Sequence, residues 1–309
     1  MENTTLLGKI KLILNPTANH GRSLQAVANL RPLMANHNAD WVWTEYQRHA
    51  TELARQAGEQ GYDLVAALGG DGTVHEVING LMQVPEETRP ALGIVPLGSG
   101  NDFAHILGIP ADPGEALLSA VNGQPHSLDV GSVCDENNRL EYFNNTIGMG
   151  FDALVNMHTR KITAIHGFMM YFVALMRTIF RNFDAIDLHV ETDQETWDLC
   201  SLMLALGNCP REGGGFIITP DAKWDDGLLN YVTIKKISRL MMLRLVPEVM
   251  RGTHGRFKQV RMGNCRRMSV TSKQPLYIHC DGEIYAGFGT DVRKLTIQII
   301  PNSIHFLKT

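Results

Sequence analysis

The sequence predicts an α/β protein in two parts, a parallel sheet with helices over residues 1–128 and a β-rich, antiparallel part over 129–300. Up to about Leu128, short apolar runs alternate with helical stretches; right-handed crossovers between such strands build a parallel sheet. Beyond Leu128, short strands broken by turn residues dominate, the pattern of antiparallel β structure. The length of 309 residues suits two compact domains.

Residues 9–14 form a β-run that stops at Asn15-Pro16. Residues 23–34 read as a helix interrupted by Pro32, 40–46 as a strand, and 50–59 as a helix stopped by Gly61. Residues 63–68 are a buried strand ending in Gly69-Gly70-Asp71-Gly72-Thr73, followed by a helix over 74–82. Another buried strand, 91–95, ends in Pro96-Leu97-Gly98-Ser99-Gly100-Asn101-Asp102. Short helices follow over 103–107 and 113–121. In the second part, strands are expected over 128–133, 142–147, 185–191, 199–206, 228–234, 259–271, 276–280 and 294–300. Helical segments lie near 151–183 and 238–251, and the tail 301–309 is expected to return to the first domain.

Composition excludes several classes. Gly and Pro number 29 and 13, too few for a low-complexity chain. The longest apolar run, 162–176, contains His166 and Gly167 and is too short for a membrane span. The N-terminus lacks a basic segment followed by an apolar stretch. The five cysteines form no CxxC pair, which suggests reduced thiols. These features predict a cytoplasmic protein. A net charge of −4 argues against nucleic acid as a partner. Residues 235–273 nevertheless carry eleven Lys or Arg against the single acid Glu248. Such a stretch is either a set of solvated faces or a surface for an anionic membrane or a phosphorylated ligand.

The glycine turns carry the chemistry. Gly69-Gly70-Asp71-Gly72-Thr73 stands between a strand and a helix, where glycines let a phosphate approach backbone N–H groups and the helix end adds positive potential. Asp71 supplies a carboxylate beside that anion site, of use for a proton or a metal; an ordinary turn with a helix-capping Asp is the plainer alternative. Gly98, Ser99, Gly100 and Asn101 occupy the equivalent place after the next strand, so the two turns can address one ligand. Asn15-Pro16 with Gly21-Arg22 is a third turn of the same kind. No GxxxxGK[ST], protein-kinase signature or Rossmann dinucleotide fingerprint is present. None of the twelve histidines makes HxxxH.

Together, Asn15-Pro16, Gly69 to Thr73 with His75-Glu76-Val77-Ile78-Asn79, and Pro96 to Asp102 resemble the diacylglycerol kinase catalytic family, in particular its bacterial soluble lipid kinases. The resemblance continues at Leu128 to Gly131, Asn145 to Phe151, Gly213 to Gly215, Pro220 to Leu229 and Asp281-Gly282-Glu283. It implies a Rossmann-like parallel-sheet N-terminal domain with a second, mostly antiparallel β-sandwich domain, and ATP at the crevice between them. It implies nucleotide contacts from Asn15, Thr44, Gly69, Gly70, Asp71, Gly72, Thr73, Val74, His75, Glu76, Gly98, Ser99 and Asn101. Glu283 matches the proton acceptor, with Asp71 and Asp129 in the same acidic network. Asp226 and the carbonyls of Lys223 and Leu228 match a Mg²⁺ site, where oxygen donors on one loop suit a hard cation. One departure is the first loop, longer before its glycine than usual and with Arg22 where a lysine is common.

The implied reaction moves the ATP γ-phosphate onto the hydroxyl of diacylglycerol. Kinases for another lipid alcohol, such as a sphingoid base or monoacylglycerol, remain open, as does a non-catalytic nucleotide-binding relative; NAD kinase is more distant. The Met-rich residues 168–176, flanked by Arg160-Lys161 and Arg177, are either a lipid-facing helix or core. Peripheral contact with an anionic membrane and a homodimer are further expectations.

Overall fold

A computed structural model describes residues 8–21, 23–162 and 168–309. Arg22 and the middle of the helical expectation over 151–183 lie outside the described residues. Contacts divide the chain into two compact units, Met1–Leu128 with Asn302–Thr309, and Asp129–Pro301.

The first unit runs β1 (Ile10–Leu14), α1 (Ser23–Leu30), β2 (Ala39–Trp43), α2 (His49–Glu59), β3 (Leu64–Gly69), α3 (Asp71–Leu81), β4 (Ala91–Pro96), α4 (Asp102–Ile106) and α5 (Pro113–Asn122). Its strands β1 to β4 pair in parallel, in the order β2-β1-β3-β4. Every residue of β3 is buried, as expected for a parallel strand covered on both faces. From β1 the chain passes to β2 on one side and then returns to β3 on the other. The order therefore reverses between β1 and β3, and ligands of open α/β sheets bind beyond the strand ends at such a point.

The second unit contains β5 (Gln124–Asp135, which begins in the first), β6 (Leu140–Phe143), β7 (Thr146–Gly150), α6 (Phe151–Thr159), α7 (Phe168–Arg181), β8 (Ile186–Thr192) and β9 (Thr196–Gly207). Then come the short β10 (Arg211–Glu212) and β11 (Phe216–Ile217), β12 (Leu229–Lys235), α8 (Arg239–Met250), β13 (Val260–Cys265), β14 (Arg267–Ser272), β15 (Ile278–Cys280), β16 (Glu283–Ala286) and β17 (Lys294–Lys308, which ends in the first). Antiparallel pairing runs β16-β15-β7-β9-β8-β14-β17, with β12 joined to β9 and β13 to β12. Strand alternation feeds two cores. Leu204 and Leu206 of β9 enter one, while Met203 and Ala205 enter the other, beneath α6, α7 and α8.

The elements depart from the sequence expectation for local reasons. The helix expected from Val74 starts at Asp71, because Gly70 is its cap. Pro32 sits at the start of a separate 3₁₀ turn, Arg31–Met34, which ends α1 early. The strand expected over 142–147 breaks at Asn144-Asn145, whose N–H groups turn to the Asp281 carboxylate. The strand expected over 259–271 breaks at Arg266, where the Asp193 carboxylate accepts the N–H groups of Arg266 and Arg267. The strand expected to end at Ile300 continues through Pro301 to Lys308, and β10, β11 and β16 were not anticipated.

Candidate active site

The glycine turns meet backbone to backbone. A Cβ built on Gly98 would lie 2.4 Å from the Gly70 Cα, so no larger residue fits without parting the loops. The Leu97 N–H donates to the Gly69 carbonyl at 2.8 Å, and the Asn15 N–H to the Leu68 carbonyl at 3.0 Å. Thr44 leaves β2 at the same edge, its N–H on the Leu14 carbonyl at 2.9 Å. Asn15, Thr44, Gly69 to Gly72 and Gly98 to Ser99 thus share the carboxyl edge of one parallel sheet. The first N–H groups of α3 have no partner within their helix and face positive in potential.

The side chains around these turns mostly hold the loops. Asp71 accepts the N–H groups of Asp102 (3.2 Å) and Phe103 (3.1 Å), tying the start of α3 to the start of α4. Burial pushes the Asp71 carboxyl up, and these backbone donors act against that rise. Asn101, at φ 56°, closes its own loop by exchanging two hydrogen bonds with Gly98. Glu76 accepts the N–H groups of Arg48 and Ala50 at the head of α2. Asn15 donates to the Thr73 hydroxyl at 3.1 Å. Val74 and His75 are buried, whereas Ser99 is exposed.

In the second unit, buried Asp129 grips the loop expected to hold a cation. Its N–H donates to the Trp224 carbonyl at 2.8 Å, and its carboxylate accepts the Gly227 N–H at 2.6 Å. Asp226 accepts the Leu228 N–H at 3.0 Å. Among the described residues, no hydrogen bond takes the carbonyls of Lys223 or Leu228. One carboxylate and two unpaired carbonyls on a short loop fit Mg²⁺ in donor chemistry.

Glu283 opens β16, and its carboxylate pairs with Arg160 at 2.7 Å, both groups partly exposed. The preceding Asp281 fixes this segment by accepting the backbone N–H groups of Asn144, Asn145 and Thr146 at 2.8–2.9 Å. Gly282 follows at φ 83°, within reach of Asn156 and the Tyr171 hydroxyl. Asn156 and Tyr171 also line a narrow cavity of about 60 Å³ under α6, α7 and α8. Its walls are largely apolar, including Leu175, Met203, Ile234 and Met242. Asp152 and Glu212 are among its few polar lining residues. Their carboxylate oxygens and a His279 ring nitrogen lie within 4.8 Å of one another.

Sequence reasoning missed Asp152, Glu212 and His279. His279 Nε2 lies 3.1 Å from Asp152, its Nδ1 accepts the Gly282 N–H at 3.2 Å, and the Thr146 hydroxyl donates to Glu212. Burial, with the Asp152 charge beside it, raises the Glu212 carboxyl to about 8. Burial lowers the His279 ring, while the Asp152 and Glu212 carboxylates raise it more strongly. The Gly282 N–H facing Nδ1 favours the neutral ring and opposes that rise. Glu212 is therefore protonated in the folded protein over a range where the unfolded chain, near 4.5, is not. Its contribution to stability is full below about 4.5 and drains as pH rises through about 8. The expected result is a melting temperature that falls between pH 6 and pH 9, with a shallower fall in Glu212→Gln. Parallel profiles for the two proteins would contradict it.

Residues 9–133 match the diacylglycerol kinase catalytic domain, and residues 145–308 match the YegS C-terminal NAD kinase beta sandwich-like domain. A Mycobacterium tuberculosis protein named diacylglycerol kinase is 30% identical over 285 residues, spanning 91% of this chain and 88% of that protein. One from Staphylococcus saprophyticus is 31% identical over 283 residues, 90% of each chain. A Chromohalobacter salexigens relative with a YegS-like lipid kinase name is 40% identical over 64% of this chain and 62% of its own. A crystal structure from Bacillus anthracis str. Sterne shares the fold, with a TM-score of 0.79 at 22% identity, covering 99% of this chain and 98% of that one. Among the described residues, no helix is long and apolar enough to cross a membrane. With both domain types matched in order and relatives aligned over nine-tenths of its length, the chain belongs to the diacylglycerol kinase family of ATP-dependent, kinase-type enzymes.

Proposed function

We propose that the protein transfers the γ-phosphate of ATP to the free hydroxyl of diacylglycerol, giving phosphatidic acid. The supporting observation is the apolar cavity of the second unit, whose lining residues Asn156 and Tyr171 lie close to Gly282, the neighbour of Glu283. An acyl lipid needs such an apolar wall, and the transfer needs a base beside its head. Met203 and Met242 give the narrow cavity walls that yield as a chain enters.

In this reading residues 1–128 are the nucleotide-binding domain and 129–300 the lipid-substrate domain. The backbone of Gly69, Gly70, Asp71, Gly72 and Gly98, with Asn15, Thr44 and Ser99, holds the nucleotide. Thr73, Val74, His75, Glu76 and Asn101 keep those loops in shape from behind. The lipid oxygen attacks the γ-phosphorus, its proton passes to Glu283, the bridging bond to the β-phosphate breaks, and ADP leaves. Glu283 is preferred over Asp71 because both Asp71 oxygens already accept backbone N–H groups. Lys223, Asp226 and Leu228 would hold Mg²⁺, which adds positive charge to the loop that Asp129 grips. The expected result is that EDTA lowers the melting temperature of the wild type and leaves Asp226→Ala unchanged. An equal response of both proteins would remove those residues from the cation site.

Access to the lipid is through a membrane surface. Helices α7 and α8, which wall the cavity, expose Met169, Phe180, Leu240 and Met250, and Arg177, Arg181 and Arg244 lie on the same two helices. Apolar side chains beside cations suit anionic lipid headgroups. The test of the whole reading is transfer of labelled γ-phosphate from ATP with Mg²⁺ onto diacylglycerol, monoacylglycerol, sphingosine and NAD in mixed micelles. Labelled phosphatidic acid, lost in Asp71→Ala, is expected. Label on a different acceptor would move the substrate, and none on any acceptor would leave a nucleotide-binding protein without this activity.

A further inference from the structure

The turn that presents Glu283 is short and built from two residues in the left-handed region. β15 and β16 pair Cys280 with Glu283, so the chain reverses on Asp281 and Gly282 alone. Both have positive φ, 51° and 83°, the signature of a type I′ hairpin turn. The Asp281 carboxylate, on the N–H groups of Asn144, Asn145 and Thr146, anchors the first of them. Gly282, a residue with wide backbone freedom, is the joint on which Glu283 can still swing.

A buried imidazole holds that joint. His279 is fully buried, and its Nδ1 accepts the Gly282 N–H at 3.2 Å. That N–H belongs to the peptide between Asp281 and Gly282, the central plane of the turn, so the contact fixes the tilt that Glu283 follows. With Nδ1 accepting, the hydrogen of the neutral ring is on Nε2, which lies 3.1 Å from the Asp152 carboxyl. A carboxyl oxygen accepts there whether or not the group carries a proton. The Nε2 hydrogen leaves no lone pair for a metal ion, and a second ring hydrogen would set donor against donor at Nδ1. Room for the pair is made across the ladder, where His279 faces Gly148 of β7. A Cβ there would come within 2.3 Å of His279 Nε2 and 2.0 Å of the Asp152 carboxyl. Asp152 stands in the first turn of α6, which packs on β7, β15 and β16.

We propose that His279, oriented by Asp152, is a positioning residue for phosphoryl transfer: by accepting the Gly282 N–H it sets the turn that aims the Glu283 carboxylate. This rests on the reading of Glu283 as the base given above and names what holds that base in place.

The test separates the two ring nitrogens. The side-chain oxygen of asparagine falls near the place of Nδ1, so His279→Asn keeps an acceptor for Gly282. Glutamine reaches the place of Nε2, so His279→Gln keeps a partner for Asp152 and leaves the Gly282 N–H unpaired. Steady-state kinetics with ATP and dioctanoylglycerol, melting curves and amide exchange at Gly282 by NMR are measured on both variants. His279→Gln is expected to lose about tenfold in kcat with both KM values nearly unchanged, and its Gly282 amide to exchange quickly. His279→Asn is expected to restore kcat to within about threefold of wild type and to keep slow exchange. Both should melt lower by a similar amount, so a merely structural role would cost both alike. Placed in Glu283→Gln, His279→Gln should lower kcat no further, because its effect passes through that carboxylate. Equal kcat in the two variants, or a further loss in the Glu283→Gln background, overturns the positioning role. Should His279→Gln not fold, Asp152→Ala, which leaves Nε2 without its acceptor, takes its place with the same expected loss and the same overturning results. Wild-type turnover in Glu283→Gln, or no transfer in any protein, would instead overturn the reading of Glu283 as base. The Gly282 amide alone then decides for His279. Fast exchange in the variant that frees Gly282 sustains its hold on the turn, and equal exchange in all proteins overturns it.

Discussion

Glu283→Gln is expected to lower kcat about 10²- to 10⁴-fold, the range that a positioned general base supplies, with the KM values for ATP and lipid nearly unchanged. Glutamine keeps the length of the side chain and an oxygen for Arg160, which lies 2.7 Å from the Glu283 carboxylate. It cannot take a proton from the attacking hydroxyl. The surrounding segment should stay in place, because Asp281 fixes it through three backbone N–H groups that the substitution does not touch. Loss of kcat alone is thus the signature of missing proton transfer. The residual rate reflects positioning of ATP and lipid, which carries much of phosphoryl-transfer catalysis. Steady-state kinetics in mixed micelles measure this directly. Turnover within threefold of wild type would remove Glu283 as the base and return attention to Asp71.

The parts of the site that lie on one stretch of chain were legible in the sequence, and those assembled across it were not. The two glycine turns declare themselves because each follows a continuous apolar strand, β3 or β4, and opens directly into a helix. The strand alternation that builds the parallel sheet is visible for the same reason. What the loops' side chains do was less visible. Asp71 reads as a chemical group in sequence, yet its oxygens accept the N–H groups of residues 31 and 32 positions away. The Asp152–His279 contact joins residues 127 apart, and each of them alone looks like a polar residue in an apolar neighbourhood. Gly148, inside Asn145 to Phe151, carried a local trace, as a strand glycine where a Cβ would come within 2.0 Å of the Asp152 carboxylate. The breaks at Asn144-Asn145 and Arg266 escaped notice because distant carboxylates, Asp281 and Asp193, take the N–H groups that would have continued the ladders.

Gly98→Ala is expected to damage nucleotide binding and stability together. The added methyl would stand 2.4 Å from the Gly70 Cα, 2.7 Å from the Asn101 side-chain oxygen and 3.2 Å from the Gly70 nitrogen. Two of these are backbone atoms, so no rotamer change relieves the clash, and the loops after β3 and β4 must separate. That movement pulls on Gly70, the cap of α3, and on Asn101, whose oxygen accepts the Gly98 N–H. Overpacking of this kind costs about 1–3 kcal/mol. A shift of about 1 Å in groups that position a substrate can cost about 10²-fold, so ATP affinity should fall at least tenfold. Gly100→Ala provides the graded comparison: its methyl would meet only the Asp71 carboxylate, at 3.1 Å, an end that can yield. Ser99→Ala, at an exposed position, should leave the melting temperature unchanged. Melting curves and ATP titrations on the three variants therefore order the loop contacts by rigidity. If Gly98→Ala melted and bound ATP like the wild type, the two turns would not be locked together, and the case for one phosphate cradle built from both would fail.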